Sequence, residues 1–186
     1  MKKLVLFALI PVLLISCRNN ESSREKETEK KKEDTSDVKE STLISVGQNV
    51  PQFSFETIEG EAYTVSELEG NIVLLNFFAT WCPSCMEEMP ALQEKVWEKY
   101  KDHENFFMVS IGREHNMDEM KKFQEKEGYT FNFAPDTGRV IYSKFAEKYI
   151  PRNVVVGEDG KIIYQCTGYD EDDFEEMLNL LDEKLD

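Results

Sequence analysis

A Cys-x-x-Cys motif lies between a predicted strand and a predicted helix, and it constrains the fold more than any other feature of the sequence. The motif is Cys-Pro-Ser-Cys at residues 82–85. Residues 71–78, directly before it, form an almost continuous apolar run of strand length. After it, apolar residues recur at helical intervals at Met89, Leu92, Val96 and Tyr100. This order places Cys82 at a helix N-terminus, where free backbone N–H groups and the helix dipole stabilise a thiolate.

The length and charge of the chain limit its architecture and its partners. With 186 residues, 40% of them hydrophobic, the chain can form one packed domain with appendages. The net charge of -15 is carried by the region after residue 42. Because an acidic domain repels phosphate backbones and no basic stripe is present in the sequence, we expect no nucleic-acid partner.

The N-terminus has the pattern of an export signal. Lys2 and Lys3 precede an apolar run from Leu4 to Ile15, which is too short to span a bilayer as a helix. The run ends in Leu-Ile-Ser-Cys at residues 14–17, which resembles the bacterial lipoprotein signal. We therefore expect residues 1–16 to be a signal peptide and Cys17 to carry the lipid. A simple secretory signal or an uncleaved anchor is the alternative.

The region after Cys17 predicts a tether. Residues 17–43 are rich in Glu, Lys and Ser and contain no aromatic side chain. Such a segment cannot bury enough apolar surface to offset the entropy of ordering it, so we expect disorder. Residues 44–186 contain no internal repeat or second linker and are predicted to form one domain.

The cysteines suggest a redox site. Cys82 and Cys85 can exchange electrons with another protein's cysteines, form a structural disulfide, or supply half of a metal site. A zinc site needs two further ligands, and His103, His115 and Cys166 are all distant in sequence. We favour a redox pair with no metal. For Cys166, which lies in a predicted strand, a buried inert cysteine is favoured over a resolving thiol.

Periodicity and turn residues predict the order of elements after residue 43. Two short strands are followed by an alternation of strands and helices, and then by a hairpin and a final helix. The predicted elements are strands at Val50–Glu56, Glu61–Thr64, Ile72–Phe78, Asn105–Ile111, 129–134, Asn153–Val156 and Lys161–Thr167, and helices at Pro83–Tyr100, Met117–Glu127, Thr137–Tyr149 and Asp170–Lys184. Right-handed crossovers make the first long strands parallel, and the hairpin adds antiparallel strands. The prediction is an α/β fold with a mixed sheet.

This element order, with Trp81 directly before the motif, resembles the thioredoxin fold. More narrowly it is similar to the TlpA/ResA-like family of membrane-tethered extracytoplasmic thiol–disulfide oxidoreductases. The run at residues 76–85 carries most of the resemblance, together with Glu88, Pro90 and the Ile150-Pro151 dipeptide. The resemblance implies a thioredoxin-like fold with a mixed central sheet, helices on both faces and an N-terminal β-hairpin extension.

The chain departs from the thioredoxin pattern at three places. Its dipeptide is Pro-Ser at 83–84 rather than Gly-Pro, and Arg-Asn at 152–153 replaces residues that are often small or hydroxylated in the family. Asn76 stands where thioredoxin keeps a buried acid. Because an amide does not titrate, a proton shuttle from position 76 is excluded.

The resemblance also implies roles for individual residues of the motif. Cys82 is expected to attack a partner's disulfide, and Cys85 to resolve the mixed disulfide. Glu88, one helical turn after Cys85, is expected to tune or accept its proton, the alternative being a solvated acid beside Glu87. Ser84, left with its backbone N–H by Pro83, is expected to make the potential more oxidising than that of thioredoxin.

A second set of residues is expected to bind the partner. Pro151 is predicted to follow a cis peptide bond, which presents the backbone of Ile150 to a client's extended segment. Trp81 is expected at the rim of the site, with Pro83 and Ser84 beside it. Arg152 could add positive charge near the thiolate or steer acidic clients, and a plain surface arginine is the alternative.

The implied function is reduction of protein disulfides outside the cytoplasm, facing the periplasm in a Gram-negative cell. The implied partners are proteins with cysteines or disulfides, apocytochrome c among the candidates, and an upstream membrane thiol–disulfide reductase. The lipid on Cys17 would bind the membrane, and no cofactor is expected.

Two other functions stay open. A thiol peroxidase on this fold needs Thr-x-x-Cys, whereas Thr80 lies two residues before Cys82. A copper carrier needs Cys-x-x-x-Cys with a distant histidine, and the spacing here is one residue shorter.

Overall fold

The sheet is built around one fully buried strand. In the computed structural model, which describes residues 36–186, all residues of the strand Ile72–Phe78 are buried. The named strands are β1 Ser54–Glu56, β2 Ala62–Thr64, β3 Ile72–Phe78, β4 Phe106–Arg113, β5 Asn132–Asp136, β6 Arg152–Val156 and β7 Ile162–Thr167. The large sheet has the order β5-β4-β3-β6-β7. β3, β4 and β5 pair in parallel, and β6 pairs antiparallel with β3 and β7, so the predicted mixed sheet is confirmed.

Each face of this sheet has its own apolar core. Three α-helices cover one face: α1 begins at Pro83, α2 is Met117–Glu127 and α3 is Glu171–Leu185. The other face is covered by the β1–β2 hairpin and by the short 3₁₀ helices Val65–Leu68 and Tyr142–Lys144. Both faces therefore carry helical segments, as predicted, but the long helices share one side.

Helix α1 carries the cysteine motif and is continuous to residue 100. It consists of Pro83–Ala91, a π-helical segment Leu92–Trp97, and Glu98–Tyr100. Pro90 lies inside it and cannot donate a backbone hydrogen bond. The N–H of Leu92 donates to the carbonyls of both Glu88 and Met89, where the π-helical segment begins. The helix thus continues past Pro90 with one irregular turn.

The N-terminal hairpin extension is also present. β1 and β2 pair antiparallel, with Phe55 opposite Tyr63. Gly60, in the turn between them, has a φ of 91°, a conformation that favours glycine. The hairpin places Phe55 against the apolar residues of the sheet and shields the face opposite α1.

The predicted helix over residues 137–149 is wrong. Only Tyr142–Lys144 forms a helical turn. The carboxylate of Asp136 accepts hydrogen bonds from the backbone N–H groups of Ile141 at 3.1 Å and Tyr142 at 2.8 Å. These bonds cap the N-terminus of the short turn with a side chain. Strand β5 ends at the same residue, Asp136.

Backbone conformation on both sides of this turn prevents a longer helix. Arg139 has a φ of 57° and Tyr149 a φ of 69°, both in the left-handed region. Val140, which the helical pattern placed inward, is 66% exposed, whereas Phe145 is buried as expected. Apolar periodicity was misleading here because the short turns after Asp136 bury some of the apolar residues that a helix would also have buried.

The packed domain begins earlier than residue 44. Thr42 forms an isolated β-bridge with Ala146, and the carbonyl of Ser41 accepts a hydrogen bond from the N–H of Glu147. Residues 36–40 are helical, and the hydroxyls of Ser41 and Thr42 donate to the carbonyl of Val38 at 2.9 Å and 2.7 Å. The predicted end of the disordered tether at residue 43 is therefore wrong, because residues 36–43 are already ordered. The signal peptide, Cys17 and residues 18–35 of the tether lie outside the described residues. Within residues 36–186, no helix is both long and apolar enough to cross a membrane.

Candidate active site

Cys82 and Cys85 form a disulfide at the start of helix α1. Cys82 is the N-cap residue and Pro83 begins the helix, where its missing N–H costs nothing. The backbone N–H of Cys85 donates to the Cys82 sulfur at 3.2 Å, and the Ser84 hydroxyl oxygen lies 3.5 Å from that sulfur. Cys85 is fully buried, whereas Cys82 keeps 5% of its surface exposed. Only the Cys82 sulfur therefore has donors arranged to stabilise a thiolate that a partner can reach.

The loop before β6 lies beside this sulfur. The Ile150–Pro151 peptide bond is cis, as the family resemblance implied. The Cys82 sulfur lies 3.7 Å from the carbonyl oxygen of Ile150. Ile150 is half-buried and Pro151 is buried, so the backbone at Ile150 borders the site next to the reactive sulfur.

Glu88 is buried beneath the cysteine turn, with 1% of its surface exposed. The side-chain amide of Asn76 donates to its Oε2 at 2.9 Å, and that of Asn153 donates to its Oε1 at 2.5 Å. Asn76 also donates to Oδ1 of Asn153 at 2.9 Å and accepts from the Ser110 hydroxyl at 3.0 Å. The alternative of a solvated acid on the helix surface is therefore wrong for Glu88, because its carboxylate lies inside the sheet–helix interface.

Burial sets the protonation of this carboxylate. Desolvation raises the pKa of Glu88 to about 7, and the hydrogen bonds from Asn153 and Asn76 partly oppose that rise. A carboxyl group with this pKa both accepts and releases protons near neutral pH. Asn76 stands where thioredoxin has a buried acid, and in this protein Glu88 provides the buried carboxyl group instead.

Trp81 lies at the rim with 58% of its surface exposed. The guanidinium of Arg113 lies 5.7 Å from the centre of its ring and 5.0 Å from that of Tyr142. Arg113 therefore stacks between a buried ring and an exposed one, which fixes the tryptophan at the edge of the disulfide.

His115 supports the loop that leads into the motif, which the sequence did not reveal. The backbone N–H of Thr80 donates to its Nε2 at 3.0 Å. Because Nε2 is the acceptor, the ring proton is on Nδ1, which lies 3.5 Å from a carboxylate oxygen of Glu119. A histidine after β4, at the carboxyl end of a parallel strand, was the available signal.

The remaining polar candidates near β6 differ in burial: Arg152 is buried, whereas Cys166 is half-buried. Arg152 is 1% exposed, and its guanidinium donates to the Thr42 hydroxyl at 3.1 Å. It is therefore not a surface arginine. Cys166 is a free cysteine 3.8 Å from the side-chain amide of Asn153. Burial raises the pKa of the Cys166 thiol to about 11, with a further contribution from Glu88, which agrees with an unreactive cysteine.

Across residues 36–186, no three His, Cys, Asp or Glu side chains gather as a group that could hold a metal ion.

The fold and the disulfide at the head of α1, beside a cis-proline loop, define a thioredoxin-like thiol–disulfide oxidoreductase. The chain belongs to the AhpC/TSA family, whose model matches residues 46–165. Its expected resemblance to ResA is confirmed: thiol-disulfide oxidoreductase ResA of Halalkalibacterium halodurans is 29% identical over 141 residues, 75% of this chain and 79% of that protein.

Two other proteins extend this comparison. Thioredoxin-like protein YneN of Bacillus subtilis is 32% identical over 120 residues, 64% of this chain and 69% of that protein. The solution structure of a proposed protein disulfide isomerase from Bacteroides thetaiotaomicron has a TM-score of 0.75 at 31% identity, covering 78% of this chain and 92% of that chain. These relatives favour thiol–disulfide exchange over the peroxidase and copper-carrier alternatives.

Proposed function

We propose that this enzyme reduces protein disulfides outside the cytoplasm through its Cys82–Cys85 dithiol. The observation that carries the proposal is the disulfide at the N-terminus of α1, in which Cys82 keeps 5% of its surface exposed and Cys85 none, with a buried carboxyl group, Glu88, beneath it. The two sulfurs supply the electrons, and Glu88 supplies a proton acceptor with a pKa near neutrality.

The reaction begins at Cys82. Its thiolate attacks one sulfur of the client disulfide, which breaks the client's S–S bond, forms a mixed disulfide and releases one client thiolate. Cys85 then passes its proton to the Glu88 carboxylate and attacks the Cys82 sulfur. The mixed disulfide breaks, the Cys82–Cys85 disulfide forms, and the second client thiolate leaves. The client gains two electrons, and the released thiolates take up two protons.

The oxidised enzyme then needs a reductant. An upstream membrane protein with a reduced dithiol would return two electrons to the Cys82–Cys85 pair by the same exchange run in reverse. Clients and reductant would meet the enzyme at the rim formed by Trp81, Pro83 and Ser84 and by the backbone at Ile150. Apocytochrome c is one candidate client.

A lipid on Cys17 would hold the enzyme at the membrane. The Leu-Ile-Ser-Cys sequence at residues 14–17 supports this assignment, as does the charged segment that follows. Cys17→Ser should abolish the incorporation of labelled fatty acid that the unaltered protein shows. Equal incorporation in both proteins would contradict lipid attachment at Cys17.

Purified protein tests the reaction itself. Residues 36–186, reduced and freed of reductant, should reduce a small disulfide-bonded protein in one turnover, and Cys82→Ser should abolish the reaction. The same sample should consume hydrogen peroxide slowly with dithiothreitol and contain no stoichiometric copper. Rapid peroxide turnover or bound copper, without disulfide reduction, would support one of the alternatives instead.

A further inference from the structure

A row of polar side chains crosses the apolar sheet beneath helix α1. Asn76 on β3 is paired with Ser110 on β4 and with Asn153 on β6, and Asn153 is paired with Cys166 on β7. Paired residues of neighbouring strands project from the same face of a sheet, so these four side chains lie side by side. The residues that flank Asn76 on this face, Leu74 and Phe78, belong to the core under the helices. A polar row in this position needs partners from the helix that covers it.

Glu88 supplies those partners. Each of its carboxylate oxygens accepts from a different amide, Oε2 from Asn76 and Oε1 from Asn153. A third hydrogen bond, from Asn76 to Oδ1 of Asn153, joins the two amides. The three side chains therefore form a closed ring in which both oxygens of the acid are held from the sheet.

The ends of the row fix the orientation of both amides. The hydroxyl of Ser110 donates to Oδ1 of Asn76, which turns the nitrogen of that amide toward Glu88. Oδ1 of Asn153 accepts from Asn76, so its nitrogen also faces the carboxylate, and its second proton points to Cys166. A flipped Asn153 amide would place two acceptors against each other, because its oxygen would face Oε1.

We propose that Asn153 is a positioning residue of the thiol–disulfide reaction: it holds Glu88 beneath the cysteine pair and favours the ionised carboxylate that accepts the Cys85 proton. The inference rests on the role proposed for Glu88. Asn153 acts only through that carboxylate and does not touch the client.

The groups around Glu88 make its titration simple to follow. Neutral amides face it from β3 and β6, the neutral Ser110 hydroxyl lies behind Asn76 on β4, and Cys166 is the titratable group on β7. Cys166 has a pKa of about 11 and stays neutral while Glu88 titrates. On helix α1 itself, the cysteines one turn earlier form a disulfide and do not titrate in the oxidised protein.

Carbon-13 NMR of the oxidised protein tests this inference directly. The Glu88 carboxyl resonance, assigned by its loss in Glu88→Gln, should titrate near pH 7 in the wild type. Asn153→Ala should move that midpoint upward by about one pH unit, because the carboxylate loses a donor to its charged form. Asn132→Ala is the matched control: Asn132 on β5 also donates from the sheet, to the Met108 carbonyl at 2.8 Å. Equal midpoints in Asn153→Ala and the control would overturn the inference.

A kinetic measurement separates this inference from the proposed function. The rate of mixed-disulfide resolution against pH should lose its inflection in Glu88→Gln and show an inflection moved to higher pH in Asn153→Ala. If Glu88→Gln leaves the profile unchanged, the role of Glu88 fails, while the NMR titration still decides whether Asn153 controls its ionisation. Should Asn153→Ala not fold, Asn153→Val replaces it, since valine suits a strand and offers no donor, and an unmoved midpoint in that variant would count equally against the inference.

Discussion

The side-chain amide of Asn76 donates a 2.9 Å hydrogen bond to Oε2 of Glu88. This contact joins the central strand β3 to helix α1, at whose start the two reactive cysteines lie. Glu88 follows Asn76 by twelve positions in the chain. The strand, which holds a buried acid in thioredoxin, contributes a neutral amide here, and the helix contributes the acid. The proton acceptor is therefore on the same helix as the cysteine that it serves, one turn beyond Cys85.

Glu88→Gln should slow resolution of the mixed disulfide by about 100-fold at pH 8, because the Cys85 thiol loses its general base. Attack of Cys82 on the client, which does not use Glu88, should keep its rate. Rapid mixing with a disulfide client followed by acid quench measures both steps. Glu87→Gln is the control, since Glu87 is the neighbouring acid on α1 and is exposed. Equal resolution rates in the two variants would remove Glu88 from the mechanism.

The raised pKa of Glu88 predicts how stability depends on pH. The folded state holds the Glu88 proton up to about pH 7, whereas the unfolded chain releases it near 4.5. Between these values the folded state binds more protons, so the free energy of unfolding falls as pH rises. Above pH 7 the full loss, roughly 3 kcal/mol, is present. Urea unfolding of the oxidised protein at pH 5 and pH 8 should show this loss in the wild type but not in Glu88→Gln. A pH dependence that is the same in both proteins would disprove the assignment.

Donors around Cys82 predict the redox potential. The N–H of Cys85 and the hydroxyl of Ser84 both approach its sulfur and stabilise the thiolate of the reduced enzyme. The potential should therefore lie above the value of about -270 mV for thioredoxin. Ser84→Ala should lower it by about 20 mV, the equivalent of one ordinary hydrogen bond. Equilibration with glutathione buffers measures both potentials. A wild-type value at or below that of thioredoxin would be inconsistent with this interpretation.

Trp81→Ala should affect protein clients and spare small ones. The exposed ring beside the disulfide offers contact area to a polypeptide, and its loss should reduce kcat/KM for a protein disulfide by about tenfold. Reduction of glutathione disulfide, which has a much smaller surface to place against the ring, should stay nearly unchanged. Val46→Ala, which truncates another exposed apolar side chain, is the control. A uniform loss on both substrates in Trp81→Ala would indicate a general effect on the disulfide instead.

The sequence predicted the parts of the fold that depend on local patterns. Strand Ile72–Phe78 and helix Met117–Glu127 have the predicted bounds, because a continuous apolar run and an Asn-capped amphipathic segment ended by Gly128 are strong local signals. The segment 137–149 failed because a carboxylate from outside it, Asp136, caps a much shorter turn. The hydrophobic periodicity within a segment cannot reveal a cap formed by a residue outside that segment.

The candidate site was predictable to the extent that its residues are adjacent in sequence. The cysteine pair, Glu88 and the cis bond at Pro151 follow from a motif and a resemblance. The contact of Asn76 with Asn153 depends on the pairing of β3 with β6. The contact of Thr80 with His115 depends on two loops that are distant in sequence but adjacent in the fold. These long-range contacts become visible only when the strand register is known. A lone asparagine inside an apolar strand was the one available hint of a buried polar row.

Mapping the mixed disulfide tests the central claim, that Cys82 attacks and Cys85 resolves. Cys85→Ser, reduced and mixed with a disulfide-bonded model protein, should trap that protein on Cys82, as read by peptide mass spectrometry after alkylation of free thiols. Cys82→Ser should trap little or none under the same conditions. Accumulation on Cys85 or on Cys166, or no trapped species in Cys85→Ser, would contradict the account.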